Sequence, residues 1–158
     1  MSVVINGVRR SGGQGLRSAL TVLCVVIGLG ALPGFATTFE DFNRAVAMND
    51  ARTVAELLRR GVDPQTVNER GEVALLAAAR EGSIEVVRAL LKGRAKVNQR
   101  NAHGDSAIMM AALNGHLAVV KVLRDAGAAI NHPGWTPLLY AAINGHDAIV
   151  EYLLSSGA

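Results

Sequence analysis

The sequence predicts an all-α repeat protein, a solenoid of about four helix-turn-helix units behind a short targeting segment. Three observations predict it. Gly71 and Gly104, Gly82 and Gly115, and the pairs Val97-Asn98 and Ile130-Asn131 are each separated by 33 residues, and a fixed period of about 20–50 residues marks stacked supersecondary units. Within each period, apolar residues fall at the spacing of one helical face. Ahead of the periods lies an apolar run of fourteen residues, Ala19 to Leu32, that belongs to none of them.

The leader comes first. Residues 1–36 carry Arg9, Arg10 and Arg17 and no Asp or Glu, a positive segment followed by an apolar one. The fourteen-residue run suits a signal peptide and falls short of the roughly 20 residues a membrane-spanning helix needs. Pro33 and Gly34 break it, and Gly34-Phe35-Ala36 offers small residues for a peptidase, so cleavage is expected after Ala36. The alternative is an uncleaved inner-membrane anchor over residues 18–36, with Arg17 held in the cytoplasm. Both readings export residues 37–158. The expected compartment is a bacterial periplasm, because a small secreted eukaryotic domain is more often stapled by disulfides. Arg9-Arg10 raises a twin-arginine signal, but the Ser-Gly-Gly-Gln that follows lacks the apolar residues of such signals, which leaves the Sec route. Cys24, the only cysteine, follows Leu23, whereas a lipobox has a small residue there; it leaves with the leader.

The repeats then run in order, at about 38–67, 68–100, 101–130 and 131–158. A degenerate first copy, FNRAVAMNDARTVAELLRRGVDPQ, starts at Phe42, and Thr38 with Asp41 three residues on resembles a capping box for its first helix. The later copies are RGEVALLAAAREGSIEVVRALLKGRAKVN from Arg70, HGDSAIMMAALNGHLAVVKVLRDAGAAIN from His103 and PGWTPLLYAAINGHDAIVEYLLSSGA from Pro133. Their first helices carry Ala78-Ala79, Ala111-Ala112 and Ala141-Ala142, small enough for close helix approach. The second helices bury one face: Val54, Leu57 and Leu58; Val87, Leu90 and Leu91; Val120 and Leu123; Val150, Leu153 and Leu154. Gly61, Gly127 and Gly157 stand just beyond them, where a left-handed cap residue is wanted. The last copy ends without a polar closing helix, although terminal units of a solenoid need a capping face; either Glu151, Ser155 and Ser156 make its final helix amphipathic enough, or the chain continues.

These residues resemble the ankyrin-repeat family, whose unit reads Gly-x-Thr-Pro-Leu-His-x-Ala-Ala-x-x-Gly-His and later Val-x-x-Leu-Leu-x-x-Gly-Ala. The match is clearest from Gly134 to His146 and extends over roughly residues 38–158. It implies an ankyrin solenoid with short hairpin fingers. Three departures stand out. The Thr-Pro-Leu-His tetrapeptide is Val73-Ala74-Leu75-Leu76 in one copy and Ser106-Ala107-Ile108-Met109 in the next, so apolar packing is expected to replace the usual Thr–His contacts. Gly115 to Gly145 spans 30 residues, a deletion of three before the last copy. Arg124 replaces a Leu, so it is expected to snorkel or to lie near solvent.

The resemblance also implies a binding face, the concave surface made by finger residues and by the two residues before the Gly that ends each first helix. The matching positions are Glu69, Arg70, Glu72, Arg80 and Glu81; Ala102, His103, Asp105, Leu113 and Asn114; and Trp135, Ile143 and Asn144. Trp135, the only Trp, is either a hot spot beside Leu113 and Ile143 or a cover for the shortened finger, packed on Pro133 or Tyr140. His116 and His146 match the family's Gly-His position, where the ring bonds to backbone of a neighbouring loop. His103 and His132 could approach one another, but a metal site would need a further ligand and only Asp105 is near in sequence. No Gly-x-Ser-x-Gly turn or phosphate loop is present. A non-catalytic protein-binding module without cofactor or metal follows.

Charge sharpens this. The formal +3 comes from 16 basic and 13 acidic residues; without Arg9, Arg10 and Arg17 the count is 13 against 13. A neutral domain gives a nucleic-acid partner no electrostatic basis.

Overall fold

Apart from the fifteen-residue first helix, the described helices have seven to nine residues and are too short to persist alone in water, so each must bury a face against a neighbour. The computed structural model describes residues 33–158, with side chains from Thr38 onward, and there the helices satisfy this need in pairs. The pairs are α1 (Pro33–Ala47) with α2 (Ala51–Arg59), α3 (Ala74–Arg80) with α4 (Ile84–Lys92), α5 (Ala107–Leu113) with α6 (Leu117–Asp125), and α7 (Pro137–Ile143) with α8 (Asp147–Ser155). Inner helices α3, α5 and α7 stack in one layer, and outer helices α2, α4, α6 and α8 in a second. Residues 37–158 form one unit. The expected leader lies outside the described residues except for Pro33–Ala36, the first turn of α1. None of the described helices is long and apolar enough to cross a membrane.

The core sits between the layers. Ala78, Ala79, Ala111 and Ala112 are fully buried, and their small side chains let α3, α5 and α7 approach. Val54, Val87, Leu90, Val120, Leu123 and Leu153 are equally sealed from the outer layer. Apolar packing does replace the Thr–His contacts: Leu76 and Met109 are 0% and 1% exposed. In the last repeat Thr136 caps α7 by accepting from the Leu139 N–H at 3.2 Å.

Two fingers carry a short β-bridge, Val67 to Val73 and Arg100 to Ser106. Each is closed by an asparagine. The Asn68 Oδ1 accepts from the N–H groups of Arg70 and Glu72, and Asn101 does the same for His103 and Asp105. The three-residue deletion removes that asparagine and its bridge from the last finger. Outer helices close on left-handed residues, as expected, at Gly61, Gly127 and Gly157, and at Arg94 with φ 65° in the second repeat.

Two expectations need correction. α1 begins at Pro33, so Thr38 lies inside the helix and not at its cap; Pro at the first position is pre-set for helix and leaves the start upstream. Leu154 and Ala142, expected on packed faces, are exposed because no described element covers the far side of the last repeat. Arg124 snorkels, one of the two arrangements expected for it: it is half-buried, and its Nη2 reaches the Ser156 carbonyl at the end of α8 at 3.5 Å.

Candidate functional site

The fingers and inner helices together make one face, and its residues fall into two groups. The first surrounds a cleft of about 710 Å³ between α1 and the second repeat, where Phe39 and Asn43 face Asn68, Arg70, Ala77 and Arg80. Arg80 is the organising charge. Its Nη1 donates to both Glu72 carboxylate oxygens at 2.7 and 2.9 Å, and its Nε to Glu81 at 3.1 Å. Burial works against the Arg80 cation, but hydrogen bonding and attraction from Glu81 and Glu72 outweigh it and raise its pKa. Glu72 is only 9% exposed, so this carboxylate braces the finger against α3 and is withdrawn from direct contact with a partner. Arg70 and Glu81 remain exposed at the cleft rim.

The second group lies at the other end of the stack. Asp105 accepts from the Tyr140 hydroxyl at 2.7 Å and from Asn101 Nδ2 at 3.2 Å, tying the third finger to α7. That hydrogen bond, with lesser help from burial and the Asp105 charge, raises the Tyr140 pKa above its ordinary 10.0. Trp135 stacks on Tyr140 with ring centroids 5.3 Å apart and still keeps 57% of its surface exposed. Packing on Tyr140 and availability to a partner therefore coexist in one side chain. Ile143 is 66% exposed. Asn114 and Asn144 are exposed but fold back onto the carbonyls of Met110 and Tyr140, both at 2.8 Å. His103 is exposed at its finger tip, and Leu113 is half-buried.

The structure thus gathers Arg70, Arg80 and Glu81 at the cleft, and Asp105, Trp135 and Ile143 with the later repeats. Phe39, Asn43 and Tyr140 were not among the expected site residues. The first copy has no finger to align, so α1 was left out. Tyr140 entered the sequence reading only as a packing partner for Trp135 and not as a site residue.

His116 and His146 act as the sequence implied. Their Nε2 atoms bond the carbonyls of Arg80 at 2.9 Å and Leu113 at 3.0 Å, each in the preceding repeat. Each ring also covers a glycine: a Cβ on Gly82 would lie 2.6 Å from His116, and one on Gly115 2.8 Å from His146. These histidines are clasps between repeats. Among the described residues, no group of three or more His, Cys, Asp or Glu is placed to hold a metal ion.

The family model described as ankyrin repeats (3 copies) matches residues 42–133 and 95–158. No curated protein matches the chain.

Proposed function

Because the chain belongs to the ankyrin-repeat family over residues 42–158, we propose that it is an exported module that binds a partner protein through its finger and inner-helix face. Ankyrin repeats are generic protein–protein interaction modules, and the family is generally non-catalytic. The observation that carries the finer reading is the pairing of an open cleft at Arg70 with an exposed aromatic at Trp135 on one face. Exposed aromatics and arginines backed by rigid elements are the usual anchors of binding energy. Arg80 supplies the rigidity at one end and Tyr140 at the other.

Affinity capture from the host's exported fraction tests this, with crosslinks mapped on the chain. Arg70→Glu combined with Trp135→Ala is expected to weaken capture by about tenfold or more while leaving the melting temperature near that of the parent. Undiminished capture by that variant would sink the proposed face.

Export rests on the leader: Arg9, Arg10 and Arg17 before an apolar run, with the peptidase site after Ala36. The proposed compartment is the periplasm. An N-terminus at Thr37, read by mass spectrometry of the chain from its host, is the expected result; an intact Met1 would replace cleavage with anchoring by residues 18–36.

A further inference from the structure

The second repeat carries charge that the repeat pattern does not require. Residues 86–104 hold Arg88, Lys92, Arg94, Lys96 and Arg100 and no Asp or Glu. From Leu91 to Arg100 every second residue is exposed, so Lys92, Arg94, Lys96 and Arg100 turn to solvent with Asn98, while Ala95 and Val97 between them pack on the core. The segment is braced. The Ala95 N–H donates to the Leu90 carbonyl at 2.9 Å, and Asn98 bridges to the third repeat, accepting from the Ala129 N–H at 2.9 Å and donating to the Gly127 carbonyl at 3.3 Å. Arg94 holds φ 65° where Gly61, Gly127 and Gly157 stand in the other repeats. A strained side chain kept where glycine serves the fold points to a role outside the fold.

Arg88 leans on Glu85 at 3.9 Å, but among the described residues no carboxylate pairs with Lys92, Arg94, Lys96 or Arg100. The cations of the adjoining outer helices are engaged: Arg59 and Arg60 with Glu56, Lys121 over the Tyr152 ring at 5.4 Å, and Arg124 at the Ser156 carbonyl. Exposed carboxylates flank the row, Asp63 at the register of Lys96 in the first repeat and Asp125 at the register of Lys92 in the third. Stacked helices lie about 8–10 Å apart, so the unpaired strip is about one repeat wide. A flat anionic surface such as a bilayer would press on Asp63 and Asp125 as well, and like charges across an interface are costly. A narrow acidic chain fits between them. Single-stranded nucleic acid is also narrow, but it binds by stacking bases on aromatic rings, and residues 86–104 contain no Phe, Tyr or Trp.

We propose that the outer end of the second repeat binds an acidic segment of a partner protein, its carboxylates paired with Lys92, Arg94, Lys96 and Arg100. That the partner is a protein rests on the interaction reading above; the row itself shares no residue with the cleft at Arg70.

The full chain can be titrated with a fluorescent Glu-Gly repeat peptide, its Gln-Gly counterpart, polyphosphate, and vesicles containing phosphatidylglycerol. At physiological ionic strength the Glu peptide is expected to bind at least about tenfold more tightly than the Gln peptide, and to lose that margin at high salt. Lys96→Glu should weaken it about tenfold, while Arg52→Glu, an equal change of net charge in the first repeat, shifts it by less than about twofold because salt screens the longer distance. Arg94→Gly is the sharper variant. It relieves backbone strain, yet the peptide should bind about threefold more weakly, so stability and affinity move in opposite directions. No preference for the Glu peptide, indifference to Lys96→Glu, or an equal loss with Arg52→Glu would overturn the proposal. Tighter binding of polyphosphate or of the vesicles through Lys96 would overturn it too, since the occupant would then be a phosphate polymer or a membrane. So would self-association of the parent chain, by sedimentation, that Lys96→Glu abolishes. Undiminished capture by the Arg70→Glu, Trp135→Ala variant sinks the finger face alone, and a failed titration sinks the row alone.

Discussion

Gly82 and Gly145 share a φ of 71°, yet only Gly82 lies beneath a neighbour's ring. Gly145→Ala is expected to cost about 1 kcal/mol, the strain of a left-handed residue with a Cβ. Gly82→Ala must also displace His116 and its bond to the Arg80 carbonyl, which adds about 1–2 kcal/mol. Urea unfolding of the two variants side by side measures the difference; equal losses would mean that the ring contributes nothing. Arg94 is the opposite case, a side chain at φ 65° where Gly61, Gly127 and Gly157 stand in the other repeats. Arg94→Gly relieves about 1 kcal/mol of strain and gives back part of it in the flexibility of the unfolded chain, so a net gain of about 0.5 kcal/mol is expected in the same assay. The histidine clasps were expected through the family resemblance of the Gly-His dipeptides. Arg94 was not, because Gly93 beside it hides the shift by one residue.

At the scale of the element, each clasp is a pair made by two repeats. Asn49, at φ 57°, occupies the position of Gly82 and Gly115, and Ser83 occupies that of His116 and His146. The substitutions fit one another: where the left-handed residue has a Cβ, the following repeat has no ring to set on it. Ser83→His alone is expected to destabilise, whereas Asn49→Gly with Ser83→His should install a third clasp to the Ala47 carbonyl, worth about 1 kcal/mol. A double-mutant cycle checks this, and simple additivity would refute it. The start of α2 depends on a charge instead. Asp50 accepts from the Thr53 hydroxyl and N–H at 2.6 and 3.0 Å, and these bonds lower its pKa below the ordinary 3.8. A carboxylate lowered by folding stabilises above its unfolded pKa and loses that effect as pH falls through the lowered value. Below about pH 4, the stability advantage of the parent over Asp50→Asn should shrink, as followed by circular dichroism; a constant gap across that range would count against the cap.

Across the whole molecule, the last two repeats are joined by Tyr140 and Asp105, which are 35 residues apart. The neutral phenol is the donor, so its raised pKa contributes stability that is complete below pH 10 and lost as pH rises through the raised value. Alkaline unfolding should therefore narrow the difference between the parent and Tyr140→Phe; a difference that persists well above the phenol's titration would show that the hydroxyl plays no part. The sequence by itself determined the period, the eight short helices, their alanine and leucine faces and the left-handed glycines. Those features are local or recur at fixed spacing, so each repeat states them anew. Only the tertiary structure decided that Glu72 is consumed by Arg80, that Asp105 holds Tyr140, and that Leu139 lies open while Leu76 and Met109 at the same register are sealed. The physical reason is that burial and pairing belong to neighbours. An identical repeat pattern gives core or contact surface according to whether another repeat packs against it, and the pattern carries no record of that.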